Sequence, residues 1–387
     1  MIRTRTKFWK SYQEAIFWIV FLLLGIGCIN VFSASQVAAE NMFSNSRHYL
    51  YRYALFAFLG FAVMYLCSYI DYHVWLKKVD FWAVITVALL VYVLFKSDAI
   101  KGAQRWIQIA SFISFQPSEF AKSVAILLSA AALGRRFDRG KKANLFTAPL
   151  FWSMLFGLLV YMQPDLGTAA IIVALVFGIY FVLGLPVQQY ILLLAAIPVS
   201  VIVLATRASY RAQRVEAWLD PWAYANETGY QTVQSIMAIG SGGLFGTGFG
   251  KGSSKFYYLP EAHTDFSFAV LCQEWGFVGG IIVIGLFIYL FYTLWNAADS
   301  ARDGTGYIII MGTNFLLTGQ AVANIAMVLG LLPVIGVPLP FISYGGTSLL
   351  VNMAMLGIAV NVLRQSKKPA SLAENKGENR KLYLVKG

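Results

Sequence analysis

Residues 240–276 read GSGGLFGTGFGKGSSKFYYLPEAHTDFSFAVLCQEWG. A glycine-dense, basic run from Gly240 to Lys255 passes into a polar knot, Leu259 to Asp265, and then directly into an apolar segment with the character of a membrane helix. Polarity ends at Asp265. Ionisable groups at membrane depth are expensive and mark functional sites by default, and here Glu261, His263 and Asp265 crowd the mouth of one helix.

The rest of the chain agrees with a membrane reading. It is 58% hydrophobic and only 12% charged, with a mean hydropathy of +0.65, which no ordinary soluble domain shows. At about 20 apolar residues per span, ten candidate helices fall near 16–34, 52–70, 79–95, 119–134, 147–162, 166–184, 188–206, 266–294, 307–332 and 340–363. The expected fold is therefore an all-α polytopic membrane protein with a membrane domain over 16–363. Residues 1–15 form a short N-terminal flank, 207–265 a large loop between the seventh and eighth helices, and 364–387 a tail too poor in apolar residues to fold alone. The basic flank before the first span resembles a signal peptide, but nine further spans make it a retained first helix.

Lys and Arg accumulate in cytoplasmic loops. Most of the 30 lie in the N-terminal flank, at Lys77 and Lys78, between Arg135 and Lys142, and after Arg364. Both termini are thus expected in the cytoplasm and the 207–265 loop outside. The net charge of +12 reads as topology, with anionic headgroups as a second beneficiary and no support for nucleic acid. Cys28, Cys67 and Cys272 sit in apolar segments without metal or disulfide spacing.

Between the third and fourth spans, Arg105-Trp106 precedes an apolar stretch too short to cross, and then Gln116-Pro117-Ser118-Glu119 opens a helix. Glu119 and Lys122 are i,i+3 neighbours on one face. They serve either as an interfacial anchor with a local ion pair or as a functional cation held at depth. Gln163-Pro164-Asp165-Leu166-Gly167-Thr168 repeats this grammar, and a favourable helix start accounts for Asp165. Arg207, Arg211 and Arg214 have helical spacing, suited either to a pyrophosphate or to a headgroup-hugging helix. The glycine run lacks GxGxxG, and Gly252 stands where a Walker motif needs Ser or Thr. It reads as bare backbone that a bulky polar substrate can approach, with Lys251 and Lys255 adding charge. Asn314, Gln320 and Asn324 are amides fit for bonds between helices. The broken Gly/Pro-rich run from Pro333 to Ser348 is tolerated at depth only against protein or a cavity.

These pieces resemble the SEDS family, which includes FtsW, RodA and SpoVE. The resemblance rests on Gln104-Arg105-Trp106, Gln116 to Lys122, Gln163 to Thr168, Ile239 to Gly246, Leu259 to Phe266, and Asn324 through Pro333 to Ser348. Gln273 departs from an acidic residue frequent in relatives and Ser267 from an isoleucine. The 230–235 and 256–260 segments lean to the FtsW division branch rather than RodA. The resemblance implies a peptidoglycan glycosyltransferase of the bacterial inner membrane. It would polymerise lipid II on the outer face, beside a class B penicillin-binding protein and other division proteins.

The family's essential carboxylate falls on Asp265 and its Arg-Trp pair on Arg105 and Trp106. Asp265 is the expected catalytic base. Substrate contacts are expected from Arg105, Trp106, Glu119, Lys122, Arg211, Lys251, Glu261, His263 and Ser343. Alanine at Arg105 or Lys122 is expected to leave insertion intact and to remove most activity. No tightly bound cofactor is expected, although a divalent Mg or Mn ion is compatible and no metal ligands are assigned. The rival functions are a lipid II flippase and a membrane scaffold, and the rival role for Thr264 or Asp265 is N-cap of the eighth helix.

Overall fold

The computed structural model describes residues 11–96, 105–110, 113–195, 209–256 and 259–366. Its first half contains α1 (Tyr12–Phe43), α2 (His48–Tyr69), α3 (Tyr72–Lys77), α4 (Val79–Lys96), β1 (Ile107–Ala110), β2 (Ile113–Phe115), α5 (Pro117–Asp138), α6 (Ala148–Met162) and α7 (Leu166–Leu183). A helix α8 follows over 187–195. Then come α9 (Ser209–Leu219), α10 (Tyr230–Gly242), α11 (Ser267–Ala298), α12 (Gly304–Asn314), a π-turn (Phe315–Gly319), α13 (Gln320–Val328) and α14 (Gly346–Gln365). Among the described residues six helical stretches are long and apolar enough to cross a membrane: α1, α2, α7, α11, α14 and the continuous α12–α13 stretch Gly304–Val328. α4 and α6 are shorter apolar helices. The seventh expected span is described only as far as 195, and 196–208 lie outside the described residues.

Local chemistry sets several helix starts. Ser11 accepts from Glu14 N, Asp165 from Thr168 N and Asp303 from Gly306 N, each satisfying an amide that the first helical turn leaves orphaned. Large side chains such as Phe58, Phe95 and Phe181 are exposed, as lipid-facing positions require.

Two expectations are corrected. The chain is not purely helical, because β1 and β2 pair antiparallel with Ile107 opposite Phe115. Their β-branched and aromatic residues are too few to span and satisfy their backbone as a hairpin instead. The hairpin is tied to the start of α14, where Thr347 Oγ1 donates to Ser114 O over 3.0 Å. Nor is 207–265 merely a loop, since it contains α9 and α10. Thr232, Val233, Ser235 and Ala238 give α10 a buried face, and Ser235 Oγ donates to Val328 O of α13 over 2.7 Å.

The glycine run repairs a break in α11. α11 is broken at Gly276, where φ is +69° and ψ −167°. A break at that residue orphans the amides of Phe277 and Val278 and the carbonyls of Gln273 and Glu274, which would otherwise bond to each other. The glycine run supplies all four partners. Phe277 N donates to Gly243 O (2.9 Å), Val278 N to Leu244 O (3.2 Å), Thr247 N to Gln273 O (3.0 Å) and Gly248 N to Glu274 O (3.1 Å). A Cβ at Gly242 would strike Cys272 O and one at Gly246 would strike Glu274 O, so at these two positions bare backbone is needed for the approach to α11. Gly276→Ala is expected to lose at least about 2 kcal/mol, because its Cβ would meet Gly246 N and Leu244 O at a φ that side chains avoid. A thermal midpoint within 1 °C of the parent protein, on the order of a few tenths of a kcal/mol, would contradict this account of the kink.

Candidate functional site

Asp265, Glu119 with Lys122, and Arg105 with Asp165 lie around the segment 333–345. Asp265 ends a tight turn. Thr264 N and Phe266 N both donate to Glu261 O (3.1 and 3.2 Å), Thr264 Oγ1 donates to Glu261 Oε2 (2.9 Å), and Glu261 has a left-handed φ of +55°. Phe266, not Thr264 or Asp265, is the N-cap of α11, and it makes no side-chain cap bond. The Asp265 carboxylate faces backbone: a Cβ placed on Gly336 would lie 3.4 Å from its Oδ2.

One amide fixes this arrangement. Asn324 Nδ2 donates to Asp265 O and to Val337 O, both at 2.7 Å. Gln320, one turn earlier on α13, donates to Pro338 O (2.9 Å) and accepts from Lys122 Nζ (2.8 Å), which also donates to Glu119 Oε1 at 2.8 Å. The π-turn re-phases the helix just before these two amides, and such turns frequent functional sites. Lys122 is only 1% exposed and Glu119 only 2%. Both are buried, and through Gln320 they brace the broken segment from beneath.

Arg105 reaches the other side of that segment. Its Nε donates to Gln163 O (3.4 Å), its Nη2 donates to Pro164 O, and its Nη1 lies 3.7 Å from Asp165 Oδ2. Asp165 caps α7, and burial pushes its carboxyl above the usual carboxylate range, opposed first by the Arg105 guanidinium and then by Thr168. Gly167, two residues on, packs so closely on Ile335 O that no side chain fits. Ile335 and Gly336 therefore stand between the Arg105 cluster and Asp265. Arg105 keeps 27% of its side chain exposed and Trp106 is half-buried.

The remaining expected residues divide. His263 packs against Tyr49 (ring centroids 4.7 Å), and its carbonyl accepts from Tyr344 N (2.9 Å). Ser343 is buried, shares a hydrogen bond with Ser267 Oγ (2.7 Å) and accepts from Leu339 N (2.9 Å). It joins the broken segment to α11. Lys251 is exposed beyond the glycine run. Arg211 is on α9, and its side chain, like all of Arg207, lies outside the described residues. Among the described residues no three His, Cys, Asp or Glu side chains converge to hold a metal.

Sequence reasoning missed a buried cluster: Lys255 Nζ lies 3.4 Å from Glu274 Oε1, which accepts from Ser33 Oγ at 2.6 Å. The signal was present as Glu274, a carboxylate inside the apolar run of α11. A groove of about 480 Å³ adjoins this cluster, lined by Gln36, Glu40, Asn41, Gly250 and Phe256.

This arrangement defines a class first: a multi-pass membrane protein whose helices enclose a polar, charge-bearing centre at one end of the bundle. The profile of the cell cycle protein family FtsW/RodA/SpoVE matches residues 14–368, and the chain belongs to that family. It is 37% identical to the probable peptidoglycan glycosyltransferase FtsW of Geobacter sp. (strain M18), over 91% of this chain and 97% of that one. It is also 37% identical to stage V sporulation protein E of Bacillus subtilis (strain 168), over 90% and 96%. A chain from a peptidoglycan synthase complex that coordinates polymerization and crosslinking is similar at TM-score 0.75 and 26% identity, covering 93% of this chain and all of that one. RodA of Thermus thermophilus gives a TM-score of 0.68 at 27% identity, over 93% and 99%.

Proposed function

We propose that this chain is a peptidoglycan glycosyltransferase of the division branch, polymerising lipid II on the outer face of the bacterial inner membrane. It would have ten spans, both termini in the cytoplasm, and the 207–265 region and Asp265 outside. The observation that carries the reading is Asp265, a carboxylate whose residue is fixed through its own carbonyl by Asn324 and whose Oδ2 faces the broken backbone at Gly336. The 4-hydroxyl of the acceptor sugar would give its proton to Asp265 as its oxygen attacks the donor's anomeric carbon. The bond to the lipid pyrophosphate breaks, and the pyrophosphate leaves with the electron pair. Because the leaving group needs positive charge more than a proton, one carboxylate suffices where glycosidases use two. Direct displacement inverts the α-linked donor to a β-1,4 bond.

Arg105, with Lys251 and Arg211, would steady the pyrophosphate electrostatically. Glu261 and His263 shape the turn that presents Asp265. Glu119 and Lys122 act on substrate only through Gln320 and the 333–340 backbone. A divalent Mg or Mn ion, if bound, would supply charge neutralisation of the leaving pyrophosphate. The similarity to a chain of a synthase complex supports a class B penicillin-binding protein as partner.

The test is the purified protein with its cognate transpeptidase and labelled lipid II, with Mg, Mn or chelator. The expected result is a ladder of glycan strands insensitive to moenomycin. Unreacted lipid II from a folded, partner-bound preparation would overturn the assignment. In the same assay Arg105→Ala is expected to lower the rate about 10²-fold, and a near-normal rate would remove Arg105 from the pyrophosphate site.

A further inference from the structure

We infer that Lys255 and Glu274 are positioning residues, a buried ionic clamp that closes the chain around Asp265 and sets the register of that carboxylate. The clamp rests on the reading of Asp265 as base. The chain leaves it at Lys255, runs out to Asp265, and returns along the first turns of α11 to Glu274. Both side chains are 2% exposed, with Nζ 3.4 Å from Oε1. Lys255 Nζ also donates to Ser33 Oγ (3.4 Å) and to Gly250 O.

The neighbouring residues reinforce the closure. Gln273 Oε1 accepts from Ser254 N (3.1 Å) and Ser254 Oγ (2.5 Å), while its Nε2 donates to Ser241 Oγ (2.9 Å) and Ser253 Oγ (3.2 Å). Gln273 thus works as a neutral staple that needs two acceptor and two donor positions together, which a carboxylate lacks. α1 braces both ends of the same turns of α11: Asn30 Nδ2 donates to Ser267 O (2.9 Å) and Ser33 Oγ to Glu274 Oε1 (2.6 Å).

Stability alone gives a poor reason for this pair. Buried ion pairs repay their desolvation incompletely, and apolar replacements of both partners are often neutral or stabilising. What the pair does achieve is to fix the two stems of the Asp265 loop against α1 and against each other. A general base displaced by about 1 Å can cost about 10²-fold in rate.

The test uses the full chain with its partner. Lys255→Met or Glu274→Gln alone strands a buried charge and is expected to destabilise. Lys255→Met combined with Glu274→Met strands none and is expected to keep the parent thermal midpoint, yet to lower kcat by about 10²-fold at little changed KM. Hydrogen exchange in 256–266 is expected to rise in the double variant, and this reads the clamp whether or not lipid II is the substrate. Ser33→Ala, which removes a bond without stranding a charge, is the arm that survives if the double variant misfolds. A several-fold fall in its kcat at constant KM, with faster exchange in 256–266, supports the clamp. A folded double variant, or Ser33→Ala, with parent kcat and parent exchange overturns it. A parent protein that makes no polymer sinks the function instead, and the exchange result still stands or falls by itself.

Discussion

Asp265→Asn is expected to abolish polymerisation, with a rate loss on the order of 10²–10⁴-fold, while membrane level, thermal midpoint and partner binding stay at parent values. The substitution keeps the side chain's size while removing its charge and its ability to take a proton, and turns one acceptor oxygen into a donor. The bond from Asn324 to the Asp265 backbone carbonyl is one that any side chain preserves. Phe266 occupies the cap of α11, so Asp265→Ala should also fold, without the roughly 0.5–2 kcal/mol that loss of a true N-cap costs. Measured initial rates on lipid II beside unfolding curves separate the two readings. An Asp265→Asn protein that polymerises at near parent rate would falsify the mechanism.

The second large effect concerns Lys122, and here the structure changes the expectation. Membrane insertion of Lys122→Ala is still expected, since hydropathy sets it, but tertiary stability is not retained. The ammonium is buried between Glu119 Oε1 and Gln320 Oε1, and its removal leaves a carboxylate in the bundle interior without its cation. Breaking one side of such a pair costs about 3–5 kcal/mol. The expected observation is a markedly lower unfolding midpoint and aggregation on extraction. Lys122→Met with Glu119→Gln removes both charges and should recover the midpoint, whereas activity should stay reduced because Gln320 loses the donor that steadies it under Pro338. If Lys122→Ala unfolds like the parent protein, the brace assigned to this pair is wrong.

Much of the molecule was legible residue by residue. The apolar runs announced a multi-pass membrane protein because hydrocarbon demands about 20 apolar residues per helical crossing. Asp165 announced a helix start, and the structure finds it capping α7. The Pro333–Ser348 run announced broken backbone facing protein or a cavity, with an outer cavity near Asp265 expected, and in the structure Gln320 and Asn324 hold two of its carbonyls. The hairpin at Ile107–Phe115 was not legible, since so short an apolar stretch fits several backbone conformations and only its contact with Thr347 selects one.

The sequence by itself determined the class of protein, the motifs that mark its family and the position of Asp265 at the mouth of a helix. Each of these depends on residue type and local spacing. The tertiary structure alone decided that the glycine run repairs the break in α11, that Lys122 faces inward, and that Lys255 meets Glu274. The first depends on which amides and carbonyls Gly276 leaves orphaned, the other two on which distant side chain reaches a buried charge. In a medium without water, every such group must find a protein partner, and the partner's place in the chain follows from packing, not from spacing.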